Sequence, residues 1–424
     1  MGDAVRAALP ADERRTSAEA PSAIPQFRSV SHPLRIFAGT DALDSLPREL
    51  DRLGVRRAFV LCGDSVATRT DLLSRVRELG GDRIIAVDSG ISEGAPRAVV
   101  EAAARAVMSH RGDALVAIGA GSVTKAARVI AMLVGEGVPL DEMATYYPED
   151  QAAVSPRLNV PKLPIINIVT APTTSQNRSG AAIRDETSGH ILEFFDPKTR
   201  PHLLYWDAAA LLTAPPSLIQ STGLWVYWRA LMNMGLIPPS NPLVAADRRE
   251  AFKLAENAIP RLSDETDAQA RIDLCAVALL QVRDEDDGGR PMSAHLIVRT
   301  AYILAVALFN SPARVNQTRA GLALTGSVIR TFGSICPDTI AQLNTALGRD
   351  WSGGDPEDEA ERLAADIDGR FERWGFPPHL HDQGISSDDT WSVVDRALRN
   401  FNGNNDGALN KYREQLHEAL LRVL

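Results

Sequence analysis

One stretch constrains the fold of this chain more than any other, Asp113-Ala114-Leu115-Val116-Ala117-Ile118-Gly119-Ala120-Gly121-Ser122. Ala114 to Ile118 is an unbroken apolar run. It is too short for a buried helix and right for a strand covered on both faces. A turn of small residues follows, and then a helical pattern from Val123 to Leu133 with Val123, Ala126, Ala127 and Ile130 on one stripe. Strand, small-residue turn and helix N-terminus together make an anion seat. The first-turn N–H groups have no partner, and they carry the positive end of the helix dipole. Taken alone, Gly119-Ala120-Gly121-Ser122 reads equally as an ordinary tight turn between a strand and a helix.

The surrounding pattern repeats this alternation. The spacing predicts an extended stretch from Pro33 to Gly39, a helix over 41–53 closed by Gly54, and a buried strand over 57–62. A helix over 71–79, a strand over 83–87 and a helix opened by Pro96 come next. After the opening stretch, 135–162 reads as a long irregular loop. A strand over 164–170 follows, then a hairpin of 181–184 with 190–195, and a short strand over 203–206. Such alternation predicts a doubly wound parallel sheet with ligands at the carboxyl ends of its strands. From Pro215 onward long helical patterns follow one another, which makes the second half all-helical. The expected division is a disordered tail over 1–30, an α/β dinucleotide-binding domain over 31–213 and an all-helical domain over 214–424.

Composition narrows the function classes. The chain has 424 residues, long for a single core, with 45% hydrophobic and 23% charged residues. A net charge of −9 and no outstanding basic patch argue against nucleic acid. Its three cysteines, Cys62, Cys275 and Cys336, lie far apart, so neither a disulfide framework nor a zinc ribbon is expected. The most apolar run, Ala301 to Phe309, is too short to span a bilayer, and the first 30 residues lack a secretory apolar segment. The expectation is a cytoplasmic protein without membrane contact.

These motifs, in this order, resemble the iron-containing (group III) alcohol dehydrogenases, whose fold is shared with dehydroquinate synthase and glycerol dehydrogenase. The resemblance runs from about Pro33 to the C-terminus. It rests on Gly119-Ala120-Gly121-Ser122 where the family has Gly-Gly-Gly-Ser, on Pro172-Thr173-Thr174 after a later strand, and on the hairpin. Asp207 before Pro215-Pro216, the Thr222-Gly223 pair, and the turn from Leu380 to Asp389 complete it. The resemblance implies a Rossmann-like doubly wound domain followed by a helical one. It also implies an NAD (or NADP) site on Gly119, Ala120, Gly121, Ser122, Thr173 and Thr174. Asp64, after the second strand, matches the family's acidic residue. There it would accept ribose hydroxyls and repel a 2′-phosphate, favouring NAD, although as a helix cap it needs no ligand.

The family's metal site does not carry over. Its aspartate and first histidine fall at Trp225 and Arg229, its later histidines near Val306 and Ala320, and a further pocket histidine near Asn310. His295, His379 and His381 are too scattered to rebuild it. No catalytic metal is expected. Basic residues stand instead at Lys125, Arg178 and Arg229, and Arg229 would occupy roughly the space of the lost ion. Arg229 and Lys125 are therefore the candidate catalytic residues.

Two functions follow. One is an NAD(P)-dependent oxidoreductase that dispenses with metal, as the related maleylacetate reductases are thought to do. Its substrate would be a specialised small molecule or peptide, since relatives act as tailoring dehydrogenases in peptide natural product biosynthesis. The other is a non-catalytic descendant serving as subunit or scaffold of a biosynthetic complex. Either could act as a homodimer or other homo-oligomer, or in a complex with another pathway enzyme.

Overall fold

The computed structural model describes residues 26–148, 153–187, 190–238, 241–349 and 354–424. Most of the tail expected over 1–30 lies outside them. Residues 26–30 lie inside, and there the Val30 amide donates to Asp286 O at 3.0 Å while Ser29 Oγ donates to Asp287.

The first half alternates as expected. Strands β1 (Arg35–Gly39), β2 (Ala58–Cys62), β3 (Ile84–Asp88), β4 (Ala114–Gly119) and β5 (Ile165–Val169) are interleaved with helices. These are α1 (Leu46–Arg52), α2 (Asp64–Arg69), α3 (Leu72–Gly80), α4 (Arg97–Ser109), α5 (Gly121–Glu136) and α6 (Leu140–Met143). The hairpin is β6 (Gly180–Asp185) with β7 (His190–Phe195), and β8 (Leu203–Asp207) completes the sheet before α7 (Ala208–Leu212). Two departures are local. The one-turn α6 interrupts the stretch expected to be irregular, opened by Pro139 and burying Leu140 and Met143 against the sheet's helices. Helix α2 begins at Asp64 itself, too short to show a periodic stripe.

The six-stranded sheet has the order β1-β8-β5-β4-β2-β3, and every pairing in it is parallel. Alternation along its strands builds two cores. Phe59, Leu61, Leu115 and Ala117 pack under α4 and α5, whereas Ala58, Val60, Cys62, Ala114, Val116 and Ile118 pack under α1 and α3. From β2 the chain moves outward to β3, returns to β4, and then proceeds the other way through β5 and β8. Direction therefore reverses between β2 and β4, the crevice where doubly wound sheets hold ligands.

The second half is helical: α8 (Pro216–Asn233), α9 (Pro242–Ala258), α10 (Ala268–Asp286), α11 (Leu296–Phe309), α12 (Gln317–Phe332), α13 (Pro337–Ala346), α14 (Pro356–Glu372), α15 (Thr390–Leu398), α16 (Phe401–Asn404) and α17 (Arg413–Leu421). They share one hydrophobic core. The aromatic cluster of α8 divides between its faces. Trp228 is fully buried with Nε1 donating to Thr325 Oγ1 at 2.7 Å, and Tyr227 is buried against Trp374. Trp225 stacks on Trp228 at 4.6 Å and stays partly exposed. No described helix is long and apolar enough to cross a membrane.

Buried polar bonds join the halves. Arg271 of α10 donates to Leu211 O at 2.6 Å and to Ala214 O at 3.3 Å, fixing the passage from α7 into α8. Gln176, fully buried, donates to Cys275 O at 2.7 Å, while its Oε1 accepts from Trp206 Nε1 at 2.8 Å.

Candidate active site

Backbone geometry builds the turn after β4. Gly119 has φ +155°, and a Cβ there would lie 2.7 Å from Val123 Cγ2, so glycine alone turns this corner. Ala120, where the family has glycine, has φ −98°, open to any residue. Its methyl packs against the small cluster of Ala171, Ala214 and Ile219 at the domain junction. A Cβ on Gly121 would sit 3.4 Å from Thr173 Oγ1, so that hydroxyl lies beside the turn although more than 50 residues away in sequence. Ser122 Oγ accepts from the Gly94 amide at 3.1 Å and keeps its own proton to donate. Thr174 faces the adjoining cavity. Asp64 stands exposed in the first turn of α2, at the end of β2, whose Cys62 pairs with Ile118 of β4. Small side chains, free first-turn N–H groups and two hydroxyls suit a dinucleotide pyrophosphate.

A cavity of about 340 Å³ lies beside this turn, between the sheet's helices and the helical domain. Its walls bring together Lys125 and Arg128 of α5, Thr174 and Arg178 after β5, and Arg184 and Glu193 of the hairpin. From the helical side come Trp225, Arg229, Glu285, Tyr302, Val306 and Asn310. Four of the five positions aligned with family metal or pocket residues, 225, 229, 306 and 310, thus share one wall. Ala320 does not reach it. It is fully buried on α12, beside Gly321, where the Trp225 ring takes the space a Cβ would need.

These residues do not fit a divalent cation. Among the five positions only Asn310 bears a side-chain oxygen that could coordinate one. None of the described histidine side chains lines the cavity, and the described residues contain no group of three His, Cys, Asp or Glu able to hold a metal. His295 instead caps α11, bonding Met232 O at 2.7 Å, and burial lowers its pKa to about 4. A dication would also meet a wall that is already cationic.

Arg229 is 2% exposed. Its Nε and Nη2 have no hydrogen-bond partner, and the carboxylate of Glu285 lies 3.9 Å from Nη2. Burial, then the neighbouring Arg178 charge, lowers its pKa to about 10, which leaves it protonated at neutral pH. Arg178 itself bonds Glu285. Lys125 forms no ion pair among the described residues. Burial and then the charges of Arg128 and Arg178 lower its pKa to about 8. Arg128, 1% exposed, escaped the sequence reading because an arginine on a helix is usually solvated. It donates to Ser175 O and Ser175 Oγ, both at 2.6 Å, and so holds the segment after β5 onto α5. Its signal was the apolar neighbours on both sides, Ala126, Ala127, Val129 and Ile130.

A doubly wound parallel sheet joined to a helical domain, with a polar cavity at their junction, defines a two-domain architecture. Residues 33–208 match the family model for iron-containing alcohol dehydrogenases. A maleylacetate reductase from Pseudomonas knackmussii is 25% identical over 398 residues, covering 92% of this chain and 94% of that protein. Among solved structures, a 1,3-propanediol oxidoreductase superposes with a TM-score of 0.78 at 17% identity, covering 94% of this chain and 100% of that one. An NADH-dependent butanol dehydrogenase from Thermotoga maritima gives a TM-score of 0.77 at 18% identity, covering 93% and 98%. Over residues 33–208 the chain is thus similar to the iron-containing alcohol dehydrogenases, and the curated relative extends that similarity over most of its length.

Proposed function

We propose that this chain is an NAD(P)-dependent oxidoreductase that works without a catalytic metal, on a specialised substrate of the kind met in natural product tailoring, peptides included. The observation that carries the metal-free reading is Arg229, a buried cation with two unpartnered N–H groups at a position where the family places a metal ligand. When bound at the α5 turn, a nicotinamide dinucleotide supplies the carbon that accepts or gives up hydride. Asp64, exposed in the first turn of α2 after β2, would accept ribose hydroxyls and so favour NAD over NADP.

The chain's own residues supply the rest. In alcohol oxidation the substrate O–H proton passes to neutral Lys125 Nζ. The oxygen's charge is held by the Arg229 N–H groups as the carbonyl forms and the C–H electron pair leaves with its hydrogen. In reduction the same groups act in reverse: Arg229 polarises the carbonyl, and protonated Lys125 gives its proton to the oxygen. A fixed guanidinium does this more weakly than a divalent ion, and a low-dielectric wall partly offsets that weakness.

Titration with NADH and with NADPH, following energy transfer from tryptophan, tests the cofactor. Trp225 on the cavity wall makes the signal sensitive to occupancy. Binding of either is the expected result. No signal with both would overturn the reading and leave the non-catalytic scaffold in its place. Elemental analysis of the purified protein tests the metal: one iron or zinc per chain would overturn that part alone.

A further inference from the structure

The cavity carries more positive charge than the hydride chemistry requires, and much of it is unanswered. Arg229 Nε and Nη2, Arg178 Nε and Arg128 Nε are all buried without a hydrogen-bond partner. Lys125 and Arg184 form no ion pair among the described residues. Arg184 is held in place by stacking: its guanidinium lies over the Phe309 ring at 6.0 Å and packs on Gly94, where a Cβ would come within 3.1 Å of it.

Two carboxylates share these walls, and they answer only part of the charge. Glu285 is divided between Arg178, which it bonds, and Arg229, whose Nη2 lies 3.9 Å away. Glu193 is held toward its neutral form by burial, which raises its pKa, and it accepts a hydrogen bond from Tyr147. Buried donors without acceptors are costly, and uncompensated buried charge more so. A reacting alcohol or carbonyl oxygen is neutral in its ground state. It can occupy one or two of these donors but cannot balance the charge. A nicotinamide carboxamide is neutral too.

We infer that the cavity takes a substrate carrying a carboxylate beside its reacting oxygen, a hydroxy acid or the matching keto acid, with Arg229 and Arg184 as the groups that answer the negative charge. A carboxylate's two oxygens suit the paired N–H groups that one edge of a guanidinium presents. The assignment of a reacting oxygen rests on the oxidoreductase reading, whereas the anion site itself does not.

Calorimetry on the full chain, without cofactor and again with saturating NADH, tests this with three probes: oxamate, malonate and succinate, each against its neutral amide. At least one anion is expected to bind ten times or more tighter than its amide. Arg229→Gln and Arg184→Gln should each weaken that anion at least tenfold and the amide by no more than about threefold. Arg229→Lys, which keeps the charge, should recover part of the loss, and an unchanged circular dichroism spectrum would confirm folding in all three variants. Equal binding of acid and amide, no binding by any of the three acids, or undiminished anion binding in Arg229→Gln would each overturn the inference. Anion binding to a chain that ignores NADH and NADPH would sink the oxidoreductase reading and keep the anion site. NADH binding without anion binding would do the reverse.

Discussion

Two regions of this molecule have met sequence change in opposite ways. At the turn after β4 the ligand-facing groups are backbone amides, so the chain could exchange a family glycine for Ala120 at φ −98° and keep the shape of the seat. Across the cavity the family's ligands are side chains, and Trp225, Arg229 and Val306 stand at the positions that correspond to them on helices that keep their place. A site made of backbone survives drift that its geometry tolerates. One made of side chains survives only if those residues do.

Variants can break or sharpen that contrast. Arg229→Met should lower turnover about a thousandfold, the upper end of what removing one oxyanion-stabilising donor costs. NADH affinity should stay unchanged, because the pyrophosphate seat lies on the other domain; a parallel loss of both in stopped-flow and equilibrium binding would erase the distinction between the regions. Lys125→Met should cost about a hundredfold, in the range for general acid–base groups. The pH profile carries the sign. Reduction needs the protonated amine, so the wild-type rate should fall as pH rises through about 8, while oxidation rises over the same interval. The variant should lose this limb in both directions.

At the backbone-built site the effects should be smaller and fall on binding. Gly119→Val places a branched side chain at φ +155°, where even a Cβ would lie 2.7 Å from Val123 Cγ2. It should destabilise the fold by about 1–3 kcal/mol and weaken NADH binding, read by thermal melts and fluorescence titration. Ala120→Gly should be the mildest, changing NADH affinity less than about threefold, since no bond or strain is removed and only the methyl contact and some chain entropy change.

The unequal legibility of the two regions has the same cause. Strand β4, its turn and α5 are local, and the apolar run, the small residues and the stripe of Val123, Ala126, Ala127 and Ile130 display them directly. The parallel sheet followed from the alternation, although the order β1-β8-β5-β4-β2-β3 did not, because pairing is settled between distant segments. The placement of Trp225, Arg229, Val306 and Asn310 on one wall followed from the family resemblance, not from periodicity. Arg128 and Glu285 stayed hidden. On a helix both look like solvated charges, and only the fold shows the former clamped on Ser175 and the latter bound by Arg178. The acidic run Asp284 to Asp287 is likewise not a solvated patch. Asp284 pairs with Arg248 at 2.6 Å and Asp286 with Arg200 at 2.6 Å, so it is an anchoring point for several elements.

Gln176 has a consequence for how the cavity is held together. Its side chain fastens the segment carrying Thr174 and Arg178 to β8 through Trp206 and to α10 through Cys275 O, and its own carbonyl accepts from Asn167 of β5 at 2.7 Å. That wall is a keystone and not a lid. The two domains are cross-braced through one side chain, so any change at Gln176 would loosen both of them from the cavity wall at once.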